Sequence, residues 1–119
     1  MGRKTWESLN KPLINRFNII ISSQKLDDSL PNVKVFKTID DALQFSNSKN
    51  FDTLWVIGGS KIYETFLNDY YKQIQECFIT QIEEEYDCDT FFPNLKNWKI
   101  SENIIIGNYE HIVNIYVKY

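Results

Sequence analysis

The sequence predicts an α/β fold, in which a mixed sheet is flanked by helices and ends in an antiparallel hairpin. Up to Leu67, segments with helical spacing alternate with apolar, β-branched runs that are typical of buried strands. Three strand-like segments then follow, at 77–82, 98–106 and 109–119. The short turn at Gly107-Asn108 between the last two predicts a hairpin. No linker or repeat interrupts the sequence, so residues 1–119 are expected to form one domain.

The composition excludes several classes of protein. A chain of 119 residues that is 43% hydrophobic and 24% charged is an ordinary globular protein. Its net charge of -3 argues against general binding to nucleic acid or to a membrane surface, so an anionic ligand must meet a local group of basic side chains. No apolar run reaches the roughly 18 residues of a membrane span, and no signal peptide is recognisable, so we expect a cytoplasmic protein.

No metal site is predicted. Cys77 and Cys88 lack the spacing of a metal-binding pair, and two reduced thiols are the better interpretation, although a disulfide stays open. The acidic run at 83–89 lacks the glycine and the remaining ligands of a calcium loop, and is typical of a solvated face.

The first half of the chain is predicted to contain two helices and two strands. A short helix covers residues 3–9, strands cover 17–21 and 33–36, and a second helix opens at Thr38 and ends within 46–50. The spacing of Thr38 and Asp41 is a variant of the capping box, so the Thr38 hydroxyl is expected to cap that helix.

Paired glycines stand between a predicted strand and a third helix. Residues 54–57 form a continuous apolar run, which predicts a buried strand, and Ser60 is placed to cap the helix that follows Gly58 and Gly59. Glycines at such a junction allow backbone N–H groups to approach a ligand, and the helix N-terminus favours an anion. The pattern is equally consistent with a tight turn, and it is neither G-x-G-x-x-G nor a P-loop.

Polar side chains near the start of the chain are candidates for ligand binding. Two cations and a hydroxyl at a helix start, Arg3, Lys4 and Thr5, suit phosphate groups, although they are also typical of solvated charges. A polar run, Ser22-Ser23-Gln24, ends the first strand, and strand carboxyl ends line ligand crevices in α/β sheets. A loop entrance is the alternative interpretation.

Thr80 and His111, in the second half of the chain, each have a structural and a functional interpretation. Thr80 shares a predicted strand face with Phe78 and Ile82, so its hydroxyl needs either a local hydrogen bond or a functional partner. His111 is the only histidine, and no nearby arrangement marks a catalytic triad, so a structural or exposed role is expected.

Five separate stretches of the chain form recognisable motifs. They are Met1-Gly2-Arg3-Lys4-Thr5-Trp6-Glu7-Ser8, Pro12-Leu13 with Arg16, Asn18-Ile19-Ile20-Ile21-Ser22-Ser23, Val56-Ile57-Gly58-Gly59-Ser60-x-Ile62-Tyr63, and Asp89-Thr90-Phe91-Phe92-Pro93. In this order and spacing, and over essentially the whole chain, the sequence resembles the dihydrofolate reductase family. The resemblance implies an NADPH-dependent oxidoreductase that reduces dihydrofolate to tetrahydrofolate, and so serves tetrahydrofolate biosynthesis and one-carbon metabolism.

The resemblance also implies roles for individual residues. The cofactor-binding residues are Arg3, Lys4, Thr5, Ser22, Ser23, Gln24, Lys37, Ile57, Gly58, Gly59, Ser60, Lys61, Ile62 and Tyr63. Among these, Arg3 lies near the adenosine 2′-phosphate, and Gly58-Gly59 matches the family's cis peptide beside the nicotinamide. The substrate-binding residues are Leu9, Leu13, Arg16, Ile57 and Thr80. Arg16 pairs with the glutamate α-carboxylate of the substrate, and Thr80 supports the active-site carboxylate and the pterin.

Compared with the family, the chain is expected to lack an N-terminal segment. In the family that segment supplies the catalytic Asp or Glu on a helix, and two strands inside the sheet. No carboxylate of this chain matches the acid, and Glu7 belongs to the cofactor-side helix. The chain alone is therefore expected to be poorly stable unless a complementing N-terminal segment or fused domain completes it.

Three functional hypotheses follow from the resemblance. The first is the C-terminal portion of a dihydrofolate reductase. The second is an inactive NADPH-binding remnant, or one half of a split enzyme. The third is a reductase of a related pterin or pyrimidine, which Arg16 disfavours because it suits a substrate with a glutamate tail.

Overall fold

The computed structural model describes residues 1–82, 84–107 and 111–119. Its helices and strands, in chain order, are α1 (Arg3–Ser8), β1 (Asn18–Ile21), β2 (Val33–Phe36), α2 (Ile39–Ser48), α3 (Ser60–Asp69), a 3-10 helix (Tyr71–Gln73), β3 (Glu76–Ile82), β4 (Trp98–Ile106) and β5 (His111–Lys118). Contacts between these elements divide the chain into two compact units, Met1–Tyr63 and Glu64–Tyr119. None of the helices in the described ranges is long and apolar enough to cross a membrane.

The first unit is built on a parallel pair of strands. β1 pairs with β2 so that Asn18 lies opposite Val33 and Ile21 opposite Phe36. On the other side of β1, the Ile21 amide donates to the Met1 carbonyl at 2.8 Å, and Gly2 forms a parallel bridge with Ile21. β1 is therefore the central backbone segment of this unit, with a neighbour on each side.

Helix α2 packs on this pair and begins as predicted. The Thr38 hydroxyl accepts from the Asp41 amide at 3.1 Å, which confirms the predicted cap. The core beneath α2 contains Ile20, Val33 and Ala42, which are at most 6% exposed. Four phenylalanine rings, Phe17, Phe36, Phe45 and Phe51, form a cluster with Phe45 in contact with the other three at centroid distances of 5.3–6.5 Å.

The predicted buried strand at 54–57 is wrong. These residues have no strand assignment in the described chain, and Leu54, Trp55 and Ile57 are exposed. An apolar run becomes a strand only when another segment takes up its backbone hydrogen-bonding groups, and a sequence pattern cannot supply that neighbour.

The second unit is a three-stranded antiparallel sheet in the order β3–β5–β4. The C-terminal strand β5 is thus the central one, and it pairs with β3 along Glu76↔Val117 to Ile82↔His111. β4 pairs with its other edge, and a register shift between Ile100 and Glu102 marks a bulge. The C-terminal hairpin is confirmed, while the predicted turn residue Asn108 and positions 109–110 lie outside the described residues.

Packing in this unit is concentrated at one end of the sheet. Trp98 and Ile115 are buried, and the Tyr71 ring meets Trp98 edge-on at a centroid distance of 5.6 Å. The Lys118 ammonium donates to the carbonyls of Tyr71 and Lys72 at 3.3 Å, and so ties β5 to the 3-10 helix. Elsewhere the sheet carries apolar side chains that are 46–54% exposed, namely Phe78, Ile82, Ile100, Ile104, Ile105 and Ile106.

Candidate functional site

The start of α1 lies directly against the paired glycines. The Gly2 amide donates to the Gly58 carbonyl at 2.8 Å, and the Gly2 carbonyl accepts from Trp6 inside the helix at 3.1 Å. A methyl group added to Gly59 would lie 3.7 Å from the Thr5 hydroxyl oxygen. Two motifs that are more than fifty positions apart in the sequence are therefore brought into one site.

The two glycines have different surroundings. Gly58 is buried at φ 105°, and a Cβ there would lie 3.1 Å from Cε2 of the Tyr63 ring. Around Gly59, a Cβ would meet only the Thr5 hydroxyl within 4 Å, counted over the described residues. The peptide bond between them is cis, as the resemblance implies. Gly59 thus leaves backbone open to a ligand, whereas Gly58 is closed by Tyr63.

Helix α3 begins one residue earlier than its predicted cap requires. Ser60 is the first residue of the helix, and it is the Gly59 carbonyl that accepts from the Tyr63 amide at 3.0 Å. Ser60 therefore lies inside the first turn, so the prediction that its side chain caps the helix is wrong. Partial burial raises the pKa of the Tyr63 phenol above its usual value.

The carboxyl end of β1 reaches the same site. Ile21 bridges Gly2, so the polar run after β1 lies beside the start of α1. Ser22 is buried, and its hydroxyl oxygen accepts from the Gln24 amide at 3.0 Å. This bond shapes the turn and leaves Ser23 and Gln24 exposed. Of the three predicted residues, two are available to a ligand directly, and Ser22 holds them in place.

Basic side chains surround this part of the first unit. Lys4, Lys37 and Lys61 are exposed. The Arg3 guanidinium donates from Nη1 to both carboxylate oxygens of Glu7 at 2.9 Å. Sequence reasoning missed this ion pair, although the spacing of four residues on a helix is its usual signal. A phosphate at Arg3 would share the guanidinium with Glu7 or displace it, and an arginine has five N–H donors with which to do so.

The predicted substrate residues of the first unit cluster near a turn before β1. Leu9 and Leu13 are half-buried, and Arg16 is exposed. The Arg16 Nε–H donates to the Ile14 carbonyl at 2.8 Å, and Asn15 between them has φ 59°. The backbone therefore doubles back at Asn15 and brings the guanidinium over its own turn.

One residue that shapes this turn was not predicted as functional. Asn18 is 1% exposed, and its side chain makes three hydrogen bonds. Its Oδ1 accepts from the Leu13 amide at 2.9 Å, and its Nδ2 donates to the carbonyls of Leu13 at 3.0 Å and Arg16 at 3.2 Å. The sequence signal was present, because an amide stands at the head of a strand that is otherwise apolar.

Thr80 belongs to the second unit. It lies on β3 opposite Val113 of β5 and shares a strand face with Phe78 and Ile82, as the period-two pattern predicts, but this face is exposed. Because Thr80 is exposed, its hydroxyl does not require a buried hydrogen-bond partner. Ile57, predicted to contact both ligands, is an exposed residue of the segment before Gly58.

Comparison with known proteins gives a consistent result. The family model of dihydrofolate reductases matches residues 1–116. A dihydrofolate reductase of Heliothis virescens is 29% identical over 99% of this chain and 71% of its own length. A bifunctional dihydrofolate reductase-thymidylate synthase of Paramecium tetraurelia is 39% identical over 96% of this chain and 26% of its own length. The dihydrofolate reductase of Rattus norvegicus is 35% identical over 80% of this chain.

The match covers almost the whole chain but not the whole of these relatives. The chain spans 54% of the rat enzyme and about a quarter of the bifunctional one. With the family model matched from residue 1 to residue 116, the chain belongs to the dihydrofolate reductase family.

Proposed function

We propose that this chain contributes the NADPH-binding part of an enzyme that reduces dihydrofolate to tetrahydrofolate. The observation that carries the proposal is the junction of α1 with the glycine pair, where the Gly2 amide meets the Gly58 carbonyl at 2.8 Å. At that junction Gly59 leaves room for the close approach of a ligand, and a Cβ would fill that room. The residues present therefore fit a dinucleotide of this kind.

On this proposal, each group around the junction has a task. Arg3, Lys4 and Lys37 bind the cofactor phosphates, with Arg3 nearest the 2′-phosphate. Exposed polar groups of Ser23 and Gln24 bind the adenosine side. The remaining contacts come from Thr5, Ile57, Gly59, Ser60, Lys61, Ile62 and Tyr63. Ser22 and Gly58, which are buried, shape the backbone around these contacts. NADPH, when bound, supplies the hydride for the reduction.

The substrate side is proposed to use apolar and charged contacts together. Leu9, Leu13 and Ile57 contribute apolar surface to the aromatic part of dihydrofolate. Arg16 binds the glutamate α-carboxylate, because a guanidinium offers two parallel donors to a carboxylate. Thr80 is proposed to support the proton-donating carboxylate. A substrate without the glutamate tail would leave Arg16 without a role, so we rank other pterin or pyrimidine reductases lower.

We further propose that an N-terminal segment, encoded ahead of Met1 or supplied by a separate chain, completes the enzyme with the catalytic acid. Two observations support this. The matched relatives are longer than this chain, and the sheet of the second unit carries many half-exposed apolar side chains. The second candidate function, an NADPH-binding half without activity of its own, rests on the same observations.

Cofactor binding tests the proposal directly. NADPH and NADH are titrated into the natural chain while tryptophan fluorescence is recorded. We expect NADPH to bind more tightly, and Arg3→Ala to weaken NADPH by about tenfold or more while NADH changes little, since a charge-assisted hydrogen bond is worth about 1.5–3 kcal/mol. Lys99→Ala, an exposed lysine on β4, is the matched control. A chain that binds neither nucleotide contradicts the proposal.

Turnover then separates the two candidate functions. The absorbance of NADPH is followed after dihydrofolate is added to the natural chain, with and without the N-terminal segment of a family member. Turnover that requires the added segment supports the proposal that such a segment completes the enzyme. Robust turnover by the 119 residues alone would refute the missing acid, and NADPH binding without turnover in either mixture would favour the inactive remnant.

A further inference from the structure

Asn18 is the polar side chain most completely buried in the described chain, and all three of its hydrogen bonds go to one turn. It is 1% exposed, and its partners are the amide and carbonyl of Leu13 and the carbonyl of Arg16, at 2.9–3.2 Å. A buried amide is retained at such a position because removing it would leave these backbone groups unsatisfied. The side chain therefore links Leu13 and Arg16, the two ends of the 13–16 turn, by hydrogen bonds.

The turn that Asn18 closes carries the exposed guanidinium of Arg16. The Nε–H of Arg16 is already bound to the Ile14 carbonyl at 2.8 Å, so the four N–H groups on the two Nη atoms remain for a ligand. Asn15 has φ 59°, a left-handed conformation that asparagine adopts more readily than most residues and that reverses the backbone next to Arg16. A bidentate contact to a carboxylate depends on the plane of the guanidinium, so its backbone must be fixed.

We infer that Asn18 is a positioning residue for substrate recognition, which holds the 13–16 turn so that Arg16 presents its guanidinium to the substrate carboxylate. This inference rests on the proposed function, in which Arg16 binds that carboxylate. Asn18 acts through Arg16 and does not touch the substrate itself. A change at Asn18 should therefore alter the preference for ligands that carry the glutamate over ligands that lack it.

The side chain of Asn18 holds the 13–16 turn, whereas its backbone holds the start of β1. The backbone amide of Asn18 donates to the Asn32 carbonyl at 2.8 Å, and this bond survives any change of side chain. Asn32 also reaches the Arg16 carbonyl with its Nδ2, but only at 3.4 Å. The side-chain amide of Asn18 is thus the shorter of two side-chain contacts to the Arg16 carbonyl. Asn32, which makes the longer contact, offers a matched comparison.

The test compares folate with pteroate, which is folate without its glutamate. Dissociation constants for both are measured by fluorescence with the natural chain completed by the N-terminal segment. Their ratio reports what the glutamate contributes, compared with the benzoate carboxylate that pteroate carries in its place. Four variants are compared: Arg16→Ala, Asn18→Ser, Asn18→Asp and Asn32→Ala, with Asn47→Asp on the exposed face of α2 as control. Asn18→Asp keeps an oxygen that accepts from the Leu13 amide, but it replaces the Nδ2 donor with an oxygen that faces the carbonyls of Leu13 and Arg16.

We expect Arg16→Ala to reduce the preference for folate about tenfold or more, which corresponds to one lost charge-assisted contact. Both Asn18 variants should reduce it in the same direction while pteroate affinity stays near wild type, and Asn32→Ala should change it little. Combining Asn18→Ser with Arg16→Ala should add nothing to the loss of preference, because both act on one contact.

Two results would overturn the inference in different ways. If Arg16→Ala lowers the preference and the Asn18 variants do not, or if they weaken both ligands equally, Asn18 serves only the fold. If Arg16→Ala itself leaves the preference unchanged, the assignment of Arg16 under the proposed function fails, and the role of Asn18 falls with it.

Discussion

Adding one methyl group at each glycine of the pair should give opposite results for stability and for binding. At Gly58, alanine must adopt φ 105°, which costs about 1–3 kcal/mol for a residue with a Cβ. That Cβ also lies 3.1 Å from the Tyr63 ring, and overpacking of this kind costs a comparable amount. We therefore expect Gly58→Ala to lower the free energy of unfolding by at least about 2 kcal/mol.

At Gly59 the same change meets, among the residues that the structure describes, only the Thr5 hydroxyl, at the ordinary contact distance of 3.7 Å. Gly59→Ala should leave the free energy of unfolding within about 1 kcal/mol of wild type. It should weaken NADPH by about tenfold or more, because the methyl group occupies the space through which the cofactor is proposed to approach.

Urea unfolding followed by tryptophan fluorescence measures the difference. With a slope of about 1–3 kcal/mol per molar, a loss of 2 kcal/mol moves the midpoint by roughly 1 M. In a Tyr63→Ala background the crowding disappears, so about half of the Gly58→Ala penalty should disappear with it. Equal midpoints for the two glycine variants, or an undiminished penalty without the Tyr63 ring, would refute the reasoning.

Three further outcomes are expected from features outside this pair. Phe45→Ala removes the ring at the centre of the phenylalanine cluster. It should lower the free energy of unfolding by about 2–3 kcal/mol, less than the roughly 3–5 kcal/mol of a fully buried phenylalanine, because Phe45 is half-buried. Thr38→Ala should cost about 1 kcal/mol in thermal unfolding, and Thr38→Ser close to nothing, since serine keeps the capping oxygen. Burial raises the pKa of the Cys77 thiol, so at pH 8 a disulfide reagent should modify the exposed Cys88 first. The modification rate of Cys77 should still increase with pH above the usual thiol pKa of about 8.5. Single serine variants assign the two kinetic phases, and equal rates for the two thiols would contradict the burial of Cys77.

Features that depend on neighbours in sequence could be predicted. The cap of α2 needs only Thr38 and Asp41, three residues apart, and it forms as expected. Strand β4 ends with an apolar run directly before Gly107, and its observed bounds, Trp98 and Ile106, agree with the prediction. In both cases the residues that determine the feature lie within a few positions of one another, so the sequence alone predicts it.

Features that depend on a distant partner could not be predicted in the same way. The apolar run at 54–57 looks like a strand, yet strand formation requires a neighbour that the run itself does not specify. For the same reason, periodicity alone did not show that β5 lies between β3 and β4.

The candidate site shows the same division. Gly58 and Gly59 were recognisable from their motif, whereas their contacts with Gly2 and Thr5 needed the structure. The role of Asn18 became visible only once its partners were known, because an asparagine before a strand has many uses.

The position of β5 has a consequence for how the protein is made. The strand that holds the second sheet together is synthesised after both of its neighbours, so among the described strands β3 and β4 have no common partner until Lys118 has left the ribosome. The parallel pair of the first unit, in contrast, is complete once Phe36 has emerged. During synthesis the two units therefore mature in sequence, and the exposed apolar side chains of β3 and β4 are the surfaces that most need protection in the interval.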